Sequence, residues 1–189
     1  MSDGELTRPS ARDADAETSD EPEPSAQVPD AVELDITVEA GDWSAFPDAE
    51  QLVAAAGAAL SRHRDGEGLL GRQACIVLAD DSFVQRLNAT YRAKDKPTNV
   101  LSFPFEPPPG MPESESDRIL GDIILAAETL QREAAELGVP PAHHLQHLVV
   151  HGLLHLLGFD HIEDAEAEEM EAIETDVLAG LGIADPYAA

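Results

Sequence analysis

Apolar and polar residues alternate through AVELDITVEA, residues 31–40, and a period of two predicts a half-buried strand. The period lengthens after Pro47. DAEQLVAAAGAALSRHR is alanine-rich with apolar positions at helical spacing, Asp48 stands where a cap belongs, and His63 falls at the C-terminal end. QACIVLAD is a short apolar run that stops at two aspartates, which predicts a buried strand. Asp80 or Asp81 then caps a helix over DSFVQRLNATYR. TNVLSFPFE and RILGDIILA read as a third and a fourth strand, separated by a proline-rich loop over residues 106–117. AAETLQREAAELG predicts a helix closing at Gly138, a residue suited to a left-handed C-terminal position. Pro140 and Pro141 open the next helix, AHHLQHLVVHGLLHLLG, which ends at Gly158. Residues 163–180 predict a last amphipathic helix with Met170, Ile173, Val177 and Leu178 on one face.

No helix bridges the third and fourth strands, so that step reverses direction while the others cross over in parallel. The pattern therefore predicts an α/β fold: a single domain with a small mixed sheet of about four strands, mostly parallel with one antiparallel strand, packed with about five helices. No internal repeat is visible.

Composition changes this picture at one end. Residues 1–30 hold nine acidic residues and two arginines with almost no large apolar side chain. Such a segment buries too little surface to offset ordering, so it reads as a disordered acidic tail, and residues 31–189 as the folded domain. The formal net charge of −27 argues against a general nucleic-acid coat, because like charge repels phosphate. The charge is segregated, however. Arg86, Arg92, Lys94 and Lys96 fall close together, while EDAEAEEMEAIETD after Ile162 has no base, so a local basic patch can survive on an acidic protein. No apolar run reaches about eighteen residues and no secretory signal is visible, so no membrane partner is expected. Cys75 is the single cysteine; it reads as a small buried residue rather than a reactive thiol, in a reducing intracellular compartment.

The candidate chemistry lies in HGLLHLLGFDH. His151 and His155 are four apart on a predicted helix and so share a face, and Gly158 allows a turn that can bring His161 back to the same point. Three imidazoles at this spacing predict one metal ion with open positions, a catalytic rather than a closed site. Packing alone explains them poorly, because each buried ring needs partners. His147 continues the face one turn earlier as a residue behind the ligands or in the packing. His143 and His144, at the helix start, are expected to be exposed. The spacing is shared with metzincin proteases, but those carry a glutamate base after the first histidine, where this chain has Gly152. Gly152 leaves room for close approach of backbone or substrate. Asp160 is the nearest carboxylate, expected to orient a ligand rather than to act as a base.

HLVVHGLLHLLGFDH resembles the metal-binding motif of the YbeY family of bacterial endoribonucleases and rRNA maturation factors. LNATYRAKDKPTNVLSFPF, LGDIILA and EDAEAEEMEAIETDVLAGLGIADPY follow the same family's order, and together these segments cover most of residues 70–187. The resemblance implies a single α/β domain with a metal, taken as zinc, on His151, His155 and His161. It implies a catalytic role for Arg92 in RNA processing from a basic groove, with Lys94, Lys96 and Arg86 as candidate backbone contacts. A guanidinium suits phosphate in a bidentate way, which agrees. The implied activity is a metal-dependent, single-strand-specific endoribonuclease. Its implied setting is 16S rRNA 3′-end maturation and ribosome quality control, with rRNA and the small ribosomal subunit as partners in the cytoplasm and no DNA partner expected. Asn99 stands where many relatives have Asp, so a carboxylate role there does not carry over. Two alternatives remain at this point: a ribosome assembly factor whose metal is mainly structural, and a metal-dependent hydrolase of another substrate.

Overall fold

The computed structural model describes residues 31–188, so the predicted acidic tail lies outside the described residues. In chain order the elements are β1 (Glu33–Val38), α1 (Ala49–Ser61), a 3-10 helix (Arg64–Leu69), β2 (Gln73–Ala79), α2 (Asp81–Arg92), β3 (Val100–Pro104), α3 (Glu113–Ser116), β4 (Ile119–Ala126), α4 (Ala127–Leu137), α5 (Pro141–Leu156) and α6 (Asp164–Gly180). The strands form one sheet in the order β1-β2-β4-β3. β1 pairs with β2 and β2 with β4 in parallel, while β3 runs antiparallel to β4 as an edge strand. The expected mixed α/β sheet is what forms.

Two short helices escaped the sequence pattern. The 3-10 helix and the four-residue α3, inside the predicted loop, are each too short to show a period. His63 belongs to the first of them: its Nδ1 accepts from the Asp65 amide at 3.3 Å. The expected cap at Asp48 is also corrected. A side-chain cap needs an extended backbone, whereas Asp48 is left-handed at φ 60° and ψ 36° and makes no cap bond. Of the two aspartates before α2, Asp80 is the cap, accepting from the Phe83 amide at 2.6 Å. Asp81 reaches across to α4 instead, taking the Thr129 amide and hydroxyl at 3.0 and 2.7 Å.

The main core joins α1, α5 and α6 to one sheet face through Ile76, Leu78, Ile123 and Leu125. A smaller cluster, with Leu101 and Ile124, packs Val84 of α2 on the other face. α5 is the central helix, with ten of its sixteen residues buried, so any polar side chain it carries must find a partner nearby. Gly152 explains how closely it lies on the sheet. A Cβ there would meet Ile123 at 2.9 and 3.0 Å and the Ser102 hydroxyl at 3.2 Å. That hydroxyl donates to the Gly152 carbonyl at 3.3 Å, tying α5 to the edge strand. Among the described residues, no helix is long and apolar enough to cross a membrane.

Candidate metal centre

α5 ends in a glycine turn that shapes the site. Gly158 has φ +95°, Phe159 N–H donates to the Leu154 carbonyl, and Gly158 N–H to that of His155, both at 3.0 Å. This is a Schellman cap, and it needs glycine at its left-handed position. The turn does more than end the helix, because the Phe159 carbonyl lies 3.0 Å from His155 Nδ1. A carbonyl only accepts, so His155 Nδ1 carries the proton and Nε2 a lone pair. The same logic applies to His151. Its Nδ1 lies 2.8 Å from Glu174 Oε1, so Nδ1–H donates to the carboxylate and Nε2 is left as the acceptor.

The two unprotonated Nε2 atoms face each other at 3.1 Å. Opposed lone pairs repel unless an electrophile lies between them. A zinc ion with nitrogens at about 2.0–2.1 Å in a tetrahedron separates two of them by about 3.3 Å, close to what is seen. His161 completes the group: a ring nitrogen of each histidine lies within 4.8 Å of the others, the only such cluster among the described residues. Its ring stacks on that of His151 at 5.5 Å and meets His155 at 5.1 Å. The donor set fits a metal ion with open positions toward solvent, since His161 is exposed. Burial, then the neighbouring His151, lowers the pKa of His155, which favours the neutral ligand form.

Behind the ligands stands Glu174 of α6, a residue the sequence reading missed. It is wholly buried, and its carboxylate accepts from His151, from His147 Nε2 at 2.9 Å and, in a very short bond, from the Tyr187 hydroxyl. Burial alone would raise its pKa. The hydrogen bonds from His147, His151 and Tyr187 outweigh that and hold it at about 2, against an ordinary 4.5. Glu174 is therefore an anion fixed behind the site, the arrangement that sets tautomer and ring orientation in metal-binding histidines. The Tyr187 phenol is pushed the other way, by burial and by this carboxylate. His147 lies behind the ligands, sharing the carboxylate with His151 rather than joining the trio.

The remaining candidates divide clearly. Asp160 is exposed and accepts the His161 backbone N–H at 2.8 Å, so it shapes the turn, and it makes no hydrogen bond to a ligand ring. His144 corrects the expectation of exposure: it is 7% exposed and pairs with Glu133 at 2.9 Å. The same Glu133 oxygen accepts from Asn99 at 2.9 Å, so Asn99 serves as a donor in a structural triad. Cys75 is only half-buried rather than buried, and burial and then Asp122, Asp35 and Glu39 push its thiol pKa up, which disfavours the thiolate. Arg92 is exposed at the last position of α2, and Arg86, Lys94 and Lys96 are exposed with it. None of the four meets a carboxylate within ion-pair distance among the described residues, unlike Arg64 and Arg132. Arg86 lies over the Phe83 ring at 5.5 Å. The buried Asn88 holds the basic loop, donating to the Lys96 carbonyl at 2.7 Å and accepting the Lys94 amide at 3.2 Å.

Fold and site together define an α/β domain with a three-histidine centre held from behind by a buried carboxylate. Comparison with known proteins agrees. The model of the family described as endoribonuclease YbeY matches residues 46–182. An endoribonuclease YbeY from Azorhizobium caulinodans is 54% identical, covering 83% of this chain and 97% of its own. Those of a Bradyrhizobium strain and of Parvibaculum lavamentivorans are each 49% identical, over 82% and 87% of this chain and 91% of theirs. The chain belongs to the YbeY endoribonuclease family.

Proposed function

We propose that this chain is a metal-dependent endoribonuclease that cuts single-stranded RNA, with zinc held by His151, His155 and His161. The observation that carries the reading is the pair of Nε2 atoms at 3.1 Å with His161 alongside, in a chain of this family. When bound, the metal supplies Lewis-acid polarisation of a phosphoryl oxygen and a water of lowered pKa. The chain's own part is to aim the ligands, the Nδ1 atoms of His151 and His155 being held by Glu174 and the Phe159 carbonyl. Arg92 grips the scissile phosphate and offsets its transition-state charge. Lys94, Lys96 and Arg86 take neighbouring phosphates, a role supported by their making no ion pair among the described residues. Gly152 leaves no carboxylate base beside the first ligand, which sets this chemistry apart from a metzincin protease. The biological setting that follows is 16S rRNA 3′-end maturation and ribosome quality control in the cytoplasm.

The test is cleavage of a labelled single-stranded RNA by zinc-loaded wild type, Arg92→Ala and His155→Ala, with metal content measured for each. Arg92→Ala should keep its metal and lose activity by about 10²–10³-fold, the scale for one charge-stabilising donor. His155→Ala should lose both. A protein that holds zinc, cuts nothing and unfolds on chelation would instead be an assembly factor with a structural metal.

A further inference from the structure

Tyr91 is the most exposed aromatic ring among the described residues, with 67% of its surface open. One exposed apolar side chain needs no explanation by itself. Three features set this one apart. Its ring is braced, meeting Phe103 of β3 edge-on at 5.2 Å and 65°. It lies in the last turn of α2, beside Arg92 and the loop of Lys94 and Lys96 that Asn88 fixes in place. Finally, Phe103 is the neighbour of Ser102, whose hydroxyl bonds the Gly152 carbonyl next to His151. Tyr91 and α5, the helix that carries His151 and His155, thus pack against the same edge strand, β3.

A braced, open aromatic ring beside exposed cations that make no ion pair among the described residues matches the chemistry of an unpaired nucleobase. Every base has a π-face, but in a duplex that face is covered by the next pair. We propose that Tyr91 is a stacking platform for one unpaired base of the RNA strand, with Arg92 and the Lys94–Lys96 loop on the flanking phosphates. The proposal rests on the RNA reading above and supplies that reading with a physical source for single-strand preference.

The test uses zinc-loaded full-length protein and two fluorescent 2′-O-methyl RNA strands of about ten nucleotides, an OB-fold-sized site. One strand carries bases and the other is abasic at every interior position. The 2′-O-methyl groups prevent cleavage during anisotropy titrations. Stacking worth about 1–3 kcal/mol per base predicts that Tyr91→Ala weakens the base-bearing strand by about 5- to 150-fold. Binding of the abasic strand should stay within about twofold, and Tyr91→Phe should behave like wild type. Tyr91→Leu keeps an apolar contact with Phe103 without a π-face and should fail like alanine, which guards against a folding defect. Equal losses on both strands, or no loss on either, overturns the platform while leaving the RNA reading intact. A wild type that binds neither strand overturns both.

Discussion

Replacing Glu174 by glutamine keeps the shape of the side chain and removes its charge. The carboxylate is wholly buried and accepts from His147, His151 and Tyr187. Its pKa is depressed from 4.5 to about 2, which corresponds to about 3 kcal/mol in favour of the ionised form in the folded chain. Glutamine retains one accepting oxygen, but its amide N–H groups must face at least one of the three donors. A buried donor left without an acceptor costs about 1–3 kcal/mol. The expected loss in unfolding free energy at neutral pH is therefore about 2–3 kcal/mol. Its pH dependence has a definite sign. The folded-state pKa lies below the unfolded value, so the carboxylate's contribution is complete above about 4.5 and fades as pH falls toward 2. The gap between wild type and Glu174→Gln must close over that window. Zinc affinity should fall as well, by about 10- to 100-fold, because His151 loses the partner that fixes its tautomer. Urea unfolding of metal-free protein between about pH 6 and pH 3, with zinc competition against a chromophoric chelator at neutral pH, reads both effects. A stability gap that stays flat with pH, or an unchanged zinc affinity beside lowered stability, would falsify the reasoning and leave Glu174 a packing residue.

Two further substitutions probe how the site is mounted. Gly152→Ala places a methyl 2.9 and 3.0 Å from Ile123 and 3.2 Å from Ser102, so those side chains must give way or α5 must shift off the sheet. A loss of about 1–3 kcal/mol by thermal melting is expected, and a melting temperature equal to wild type would show that the helix shifts freely. Asn99→Asp replaces a donor to Glu133 by a second carboxylate at the same oxygen, 2.9 Å away. Stability should drop by about 1–3 kcal/mol at neutral pH and recover as acid supplies a shared proton, and a pH-independent difference in melting would refute this.

The parts of this molecule legible in its sequence are those carried by local spacing. Strand alternation, the stripe of α6 and the i, i+4 pair on α5 each repeat within a few residues, so the elements and the histidine trio could be read directly. Glu174 is instructive because the signal was there. Met170, Ile173, Val177 and Leu178 mark a buried face, and position 174 falls inside it, so a carboxylate occupies a core position. The surrounding acidic run hid it, since it is one of eight acids between residues 163 and 176. What it bonds to was not legible. His147 and His151 lie 27 and 23 residues away, and Tyr187 sits near the chain end, joined only when α6 and the last residues fold back on α5. His144 was misread for the same reason. Its place at the helix start suggested water, and only the packing of α4 on α5 shows that Glu133 receives it.

The acidity that argues against a general nucleic-acid coat becomes intelligible once its placement is known. A net −27 repels phosphate at long range, but exposed charges beyond about 8 Å are largely screened at physiological salt. Within that distance the sign is set by neighbours. Arg92, Lys94, Lys96 and Arg86 make no ion pair among the described residues, and Glu174, the carboxylate that bonds His151, is buried and consumed by three donors. A duplex presents dense charge and covered bases, and so meets repulsion without a stacking reward. An unpaired strand can bend to put one phosphate at Arg92 and one base on Tyr91 while the rest stays clear of the acidic surface. On the proposed function, the unfavourable global charge then acts as a filter: it suppresses loose binding everywhere except where the cations flank the ring beside one edge strand.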